Sequence, residues 1–115
     1  MLSKEKVEAV LFKMGMPANV KGFGYIVDSV LLLEEDSKIK TTYLYFKVAQ
    51  QHGTTGQRVE RAIRHAIEVA WSRGKVELLE EMFGYTISSG KGKPTNSEFI
   101  ALIADKIRLE YGDEV

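Results

Sequence analysis

The sequence predicts an all-α fold, a compact domain of six helices. Two observations carry that prediction. Apolar residues recur three and four positions apart along nearly the whole chain, the spacing of one helical face, and two prolines, Pro17 and Pro94, with a set of glycines punctuate those stretches. Length sets the scale: 115 residues suit one ordinary domain, since domains mostly run to about 100–150 residues. Residues 1–115 are therefore expected to form a single domain around one core. A hydrophobic content of 44% against 28% charged residues supplies enough apolar mass for that core and argues against disorder.

The elements follow in order. Ser3 is a candidate N-cap for a first helix with Val7, Val10, Leu11 and Met14 inward, closed by Gly15 before Met16-Pro17. A second stripe, Val20, Phe23, Val27, Val30 and Leu31, passes Gly22 and Gly24 and ends in the acidic cluster Glu34-Glu35-Asp36. Each of those glycines costs about 1 kcal/mol in a helix relative to alanine. From Thr42, TYLYFKVAQQ predicts a third helix with Leu44 and Val48 inward, joined by Tyr45 and Ala49, ending before His52-Gly53. Its aromatic and β-branched content also suits a strand, which stays open as the rival.

The fourth helix has the most regular pattern: Val59, Ala62, Ile63, Ala66, Ile67 and Ala70 fall at i, i+3, i+4, i+7, i+8 and i+11. Thr54 with Gln57 is a capping-box pattern at its start, and Gly74 stops it after Trp71-Ser72-Arg73. A shorter stripe, Val76, Leu79, Met82 and Phe83, predicts a fifth helix ending at Gly84. Gly84 to Pro94 reads as an exposed loop, with Tyr85-Thr86-Ile87 able to make a short extended piece. Thr95 and Glu98 form a second capping box before a last helix with Phe99, Ile100, Ile103, Ala104 and Ile107 inward. Trp71, Phe83 and Phe99 are expected in the core.

Several function classes fall on composition. Without cysteine there is no disulfide, thiolate zinc site or cysteine nucleophile, which fits a reducing compartment; the cytoplasm is expected. Apolar runs such as Val30 to Leu33 are far short of the ~20 residues of a membrane span. His52 and His65 are the only histidines, and His65 with Glu68 is half of a metal motif whose other ligands are missing. GYTISSGKG fails as a phosphate loop, with five residues between Gly84 and Gly90 and a glycine after Lys91. No catalytic residue, metal or cofactor is expected, and no enzyme.

Sixteen Lys and Arg balance sixteen Asp and Glu. A polyanion partner must then be argued from where the charges lie. From Thr54 to Lys75, Arg58, Arg61, Arg64, Arg73 and Lys75 oppose only Glu60 and Glu68, a local net charge of +3, whereas Asp28, Glu34, Glu35 and Asp36 meet no base. Helices three and four, joined by a short glycine-containing turn, make a helix-turn-helix pattern over about 42–72, in which the second helix enters the DNA major groove. Gln57, Arg58, Glu60, Arg61, Arg64 and His65 lie opposite its apolar stripe. Arginine can bond both O6 and N7 of guanine, and glutamate can accept from the cytosine N4 amine. The plainer reading is a solvated face, with Glu60–Arg64 and less ideally Arg61–Glu68 as ordinary helix pairs. Lys91 and Lys93 stand before the capped helix at Thr95, where free amides and two cations suit a phosphate as well as they suit a polar loop.

The run TTGQRVERAIRHAIEVAWSRG, followed after a short helix and FGYT by KPTNSEFIALIADKIRLE, resembles the C-terminal effector domains of the stage-zero sporulation response regulators. The resemblance covers about Gly15 to Tyr111. It implies a DNA-binding regulator of sporulation, part of a two-component system, which binds a box with a TGTCGAA core as tandem head-to-tail copies and activates or represses transcription. By the same resemblance a recognition helix over 55–72 reads bases through Arg58, Glu60 and Arg61, with Arg64 and His65 nearer the phosphates; Thr55, Gln57 and Arg73 are expected as phosphate or supporting contacts. A contact with RNA polymerase sigma factor is implied for Gly74 to Ile87, through Leu78, Phe83 and Ile87. The sequence departs from the family's better-known form there, as KVELLEEM, and in TYLYFKVAQQHG. The family's phosphorylatable receiver domain has no counterpart here, so the chain is expected to be the effector part. The alternative is a helical protein-interaction module that contacts sigma factor without reading bases.

Overall fold

The computed structural model describes residues 3–74, 79, 81 and 93–111. Among these there are five helices and no strand: α1 (Lys4–Lys13), α2 (Lys21–Glu35), α3 (Thr41–His52), α4 (Gly56–Arg73) and α5 (Asn96–Tyr111). The fifth expected helix, over Val76 to Phe83, lies outside the described residues except for Leu79, which is buried, and Glu81. The count of six is thus met by five. The segment with a strand as its rival is helical, because Leu44, Val48 and Ala49 are all buried on one side of α3 against α2 and α4.

Three of the five helices, α1, α4 and α5, are opened by a side-chain cap. The Ser3 hydroxyl accepts from the Lys6 amide at 3.3 Å and starts α1. The capping box at α5 is reciprocal: Glu98 donates its amide to the Thr95 hydroxyl at 3.3 Å and its carboxylate accepts the Thr95 amide at 2.9 Å. At α4 the expected box from Thr54 and Gln57 is corrected by one residue. Thr55 is the N-cap, its hydroxyl accepting from the Arg58 amide at 3.2 Å. The Thr54 amide instead bonds back to the Ala49 carbonyl at 3.0 Å, closing α3. Gly53 makes that closure with φ +64°, a left-handed conformation that favours glycine.

α2 is the central element, packed against α1, α3, α4 and α5, most extensively against α4. It brings Phe23, Ile26, Val27 and Val30 into a core shared with Val59, Ile63, Ala66 and Ile67 of α4 and Phe99, Ile103 and Ile107 of α5. The one buried polar side chain among the described residues, Ser29, donates to the Tyr25 carbonyl at 2.7 Å, so no donor is stranded. The radius of gyration is 13.3 Å, about what a compact chain of this length gives.

Candidate nucleic-acid interface

Burial divides α4 cleanly. Val59, Ile63, Ala66, Ile67 and Ala70 are buried, while Gln57, Arg58, Arg61, Arg64 and His65 are exposed along the opposite side. Only three residues, Gly53 to Thr55, join this helix to α3. The turn is anchored from below: His52 at the end of α3 meets the Asp28 carboxylate of α2 at 2.5 Å, and its ring stands edge-on to Tyr25 at 4.9 Å between centroids.

The outward side chains fall into two groups. Arg58 and Arg61 make no ion pair among the described residues, so both guanidinium groups are free to meet a ligand. Glu60 and Arg64, in contrast, pair at 2.9 Å as the plain helical spacing expects. They sit where α4 faces the start of α5, in a cleft of about 540 Å³ lined also by Tyr45, Lys93 and Asn96. The Arg61–Glu68 pair does not form. Lys93 takes Glu68 instead, at 3.5 Å, drawing the residue before Pro94 onto α4. Lys93 is therefore an engaged cation, and Thr55 serves as the helix cap. Arg73 is exposed at the far end of α4. Lys91, Leu78, Phe83 and Ile87 lie outside the described residues. The half-buried Trp71 packs edge-on to the buried Phe99 at 6.1 Å, a core pairing and no platform for a base.

Two features escaped the sequence reading. The outer side of α3 carries exposed Tyr43 and Phe46, stacked at 6.2 Å, with the Lys47 ammonium 5.9 Å over the Tyr43 ring. No acid occurs between Ser37 and Val59, so this aromatic face borders α4 with only positive charge. Its signal was present, since Tyr43 and Phe46 are three apart and off the Leu44–Val48 stripe. The second feature is Asn96, whose side-chain amide donates to the Glu60 backbone carbonyl at 2.9 Å across 36 positions of sequence.

Around Tyr45 that junction has a pH signature. Burial raises the phenol above its ordinary value, a hydrogen bond from Asn96 lowers it, the Glu60 carboxylate adds to the rise, and Arg64 opposes it. The fold favours the neutral phenol, so its contribution is whole below about pH 10 and is lost as pH climbs through the raised value. The melting temperature is expected to fall more steeply above about pH 10 in the native protein than in Tyr45→Phe. Parallel pH profiles for the two would reject a favoured neutral phenol.

α4 thus combines a buried stripe and a basic outer face with a short glycine-containing turn before it. Residues 7–107 match the family model described as sporulation initiation factor Spo0A C terminal. The chain belongs to that family. Members are the DNA-binding part of a sporulation response regulator, a transcription-regulating domain and not an enzyme. The match runs from Val7 in α1 to Ile107 in α5, so it spans all five helices and every described member of the α4 face. No helix among the described residues is long and apolar enough to cross a membrane.

Proposed function

We propose that α3 and α4 form a helix-turn-helix whose second helix reads a TGTCGAA-type box in the major groove of double-stranded DNA, and so activates or represses transcription in the cytoplasm. The observation that carries this reading is the pair of unengaged guanidinium groups, Arg58 and Arg61, on the exposed N-terminal half of α4, just beyond the Gly53 turn. That half of a recognition helix is the part that meets base edges. Arg61 is assigned to guanine, with Arg58 beside it.

Glu60 is assigned to a cytosine amine, and its pairing with Arg64 gives it a way to arrive there. An exposed pair at i, i+4 is worth only about 0.3–0.5 kcal/mol, so a phosphate can draw Arg64 away and release the carboxylate to the base. Gln57, His65 and Arg73 flank the same face as backbone or supporting contacts. Lys93 joins them only by exchanging Glu68 for a phosphate, and Lys91 belongs with it in the proposal. The aromatic and basic side of α3 is suited to lie along the sugar-phosphate chain, because the first helix of this motif crosses the backbone.

Further partners rest on the resemblance: sigma factor through Leu78, Phe83 and Ile87, a second copy head to tail on tandem sites, and a receiver domain in the full-length protein, with 1–115 as one effector domain. The deciding experiment titrates labelled duplexes with the TGTCGAA core intact or scrambled, at low and physiological salt. Specific readout is expected as a preference for the intact box that survives the higher salt, while affinity for both duplexes drops. Equal affinity at both salts overturns the reading.

A further inference from the structure

The Asn96 side chain has no task in its own helix. The start of α5 is capped by the reciprocal bonds of Thr95 and Glu98, and the Asn96 carboxamide reaches across to α4. Its target is a backbone carbonyl in the second turn of that helix, on Glu60, between the two free arginines. A carbonyl oxygen has two lone pairs, so this bond adds to the helical one without replacing it. Because the acceptor is main chain, the bond fixes the height and rotation of the helix itself, whatever the Glu60 carboxylate does with Arg64. The half-buried Tyr45 of α3 lines the same cleft, so α3, α4 and α5 meet at this point.

On the reading given under Proposed function, we propose that Asn96 is a positioning residue for base recognition, a tether that sets where the Arg58–Arg61 turn of α4 stands relative to α3 and the start of α5. Hydrogen-bonded base readout needs side chains held within about 0.5 Å and 10–20° of their productive geometry. Arg58 and Arg61 reach their targets on long flexible stems, so the backbone beneath them must supply that precision. A tether one residue from Arg61 and two from Arg58 does so where it counts, and the core contacts of Val59 and Ile63 hold the opposite side.

The test is Asn96→Asp, which keeps the shape but removes the donor and sets oxygen against oxygen. An acid in the first turn favours a helix electrostatically, so α5 itself is not weakened, and a fraying explanation predicts the opposite sign. Asn96→Ser, a good helix-start residue too short to reach α4, is the second variant. Added negative charge lowers affinity for all DNA, so the quantity read is the ratio of affinities for the intact and scrambled duplexes. Both variants are expected to lose about tenfold in that ratio, the equivalent of one ordinary hydrogen bond. They should keep the native melting temperature within a few degrees, with amide resonances of Arg58 to Arg64 shifted in the free protein. An unchanged ratio in folded variants, in a protein that does prefer its box, overturns the tether and leaves the function standing. A native protein without box preference overturns both.

Discussion

Gly22→Ala is expected to destabilise the protein by about 3 kcal/mol, the top of the usual overpacking range, and to weaken DNA binding with it. A Cβ on Gly22 would stand 2.1 Å from the Ala62 carbonyl oxygen, 2.8 Å from its carbon and 2.7 Å from the Ala66 Cβ. The first two are backbone atoms of α4 and have no rotamer to move into. Relief requires α2 and α4 to separate, and theirs is the most extensive helix contact in the fold. The comparison that isolates this effect is Gly24→Ala, two residues along the same helix, where an added Cβ meets nothing within 4 Å. There, alanine should stabilise the helix by roughly 0.5–1 kcal/mol, because glycine loses more backbone freedom on folding. Urea midpoints of the two variants should therefore move in opposite directions. A Gly22→Ala protein as stable as Gly24→Ala would falsify the close approach of the two helices.

The two glycines also mark how far the sequence could be followed. Read locally they are the same residue with the same helical penalty; only the path of α4 across α2 separates them. The inward stripes were legible because burial follows the helical period: every residue expected inward on α1, and every one on α5, is buried. On α4 the exception is Ala62, left partly exposed beside Gly22. The capping box at Thr95 was legible because it needs only residues three apart. The pattern at Thr54 misled for the same reason. Thr54 fits the local template with Gln57, yet the end of α3 claims its amide, and the cap passes to Thr55.

At the interface the division is similar. The basic face of α4 follows from the period of its stripe, and the Glu60–Arg64 pair from spacing alone. Lys93 with Glu68 and Asn96 with Glu60 join positions 25 and 36 apart, which no local pattern reaches. The first of them engages Lys93 and takes Glu68, the carboxylate that spacing alone offered to Arg61. The zero net charge of the chain thus conceals two kinds of positive group, some bound to carboxylates of the same fold and others open to a ligand.

That distinction makes Arg61→Ala the sharpest test of the reading function. Arg61 is exposed and makes no ion pair among the described residues, so its loss opens no cavity and leaves no buried partner uncompensated; stability is expected to change by less than about 0.5 kcal/mol. Binding is another matter. A bidentate arginine–guanine contact discriminates by about 1–3 kcal/mol, which is roughly 5- to 150-fold in affinity for the intact box. The loss should be confined to duplexes that carry the cognate guanine: replacing that base should cost the native protein dearly and the variant little. Arg64→Ala offers the contrast, because a phosphate contact carries no sequence information. Its affinity should fall about equally on intact and scrambled duplexes, with a shallower dependence on salt. If Arg61→Ala instead behaves like Arg64→Ala, losing the same factor on every duplex, then Arg61 lies on the backbone and base recognition must be reassigned to Arg58 and Glu60.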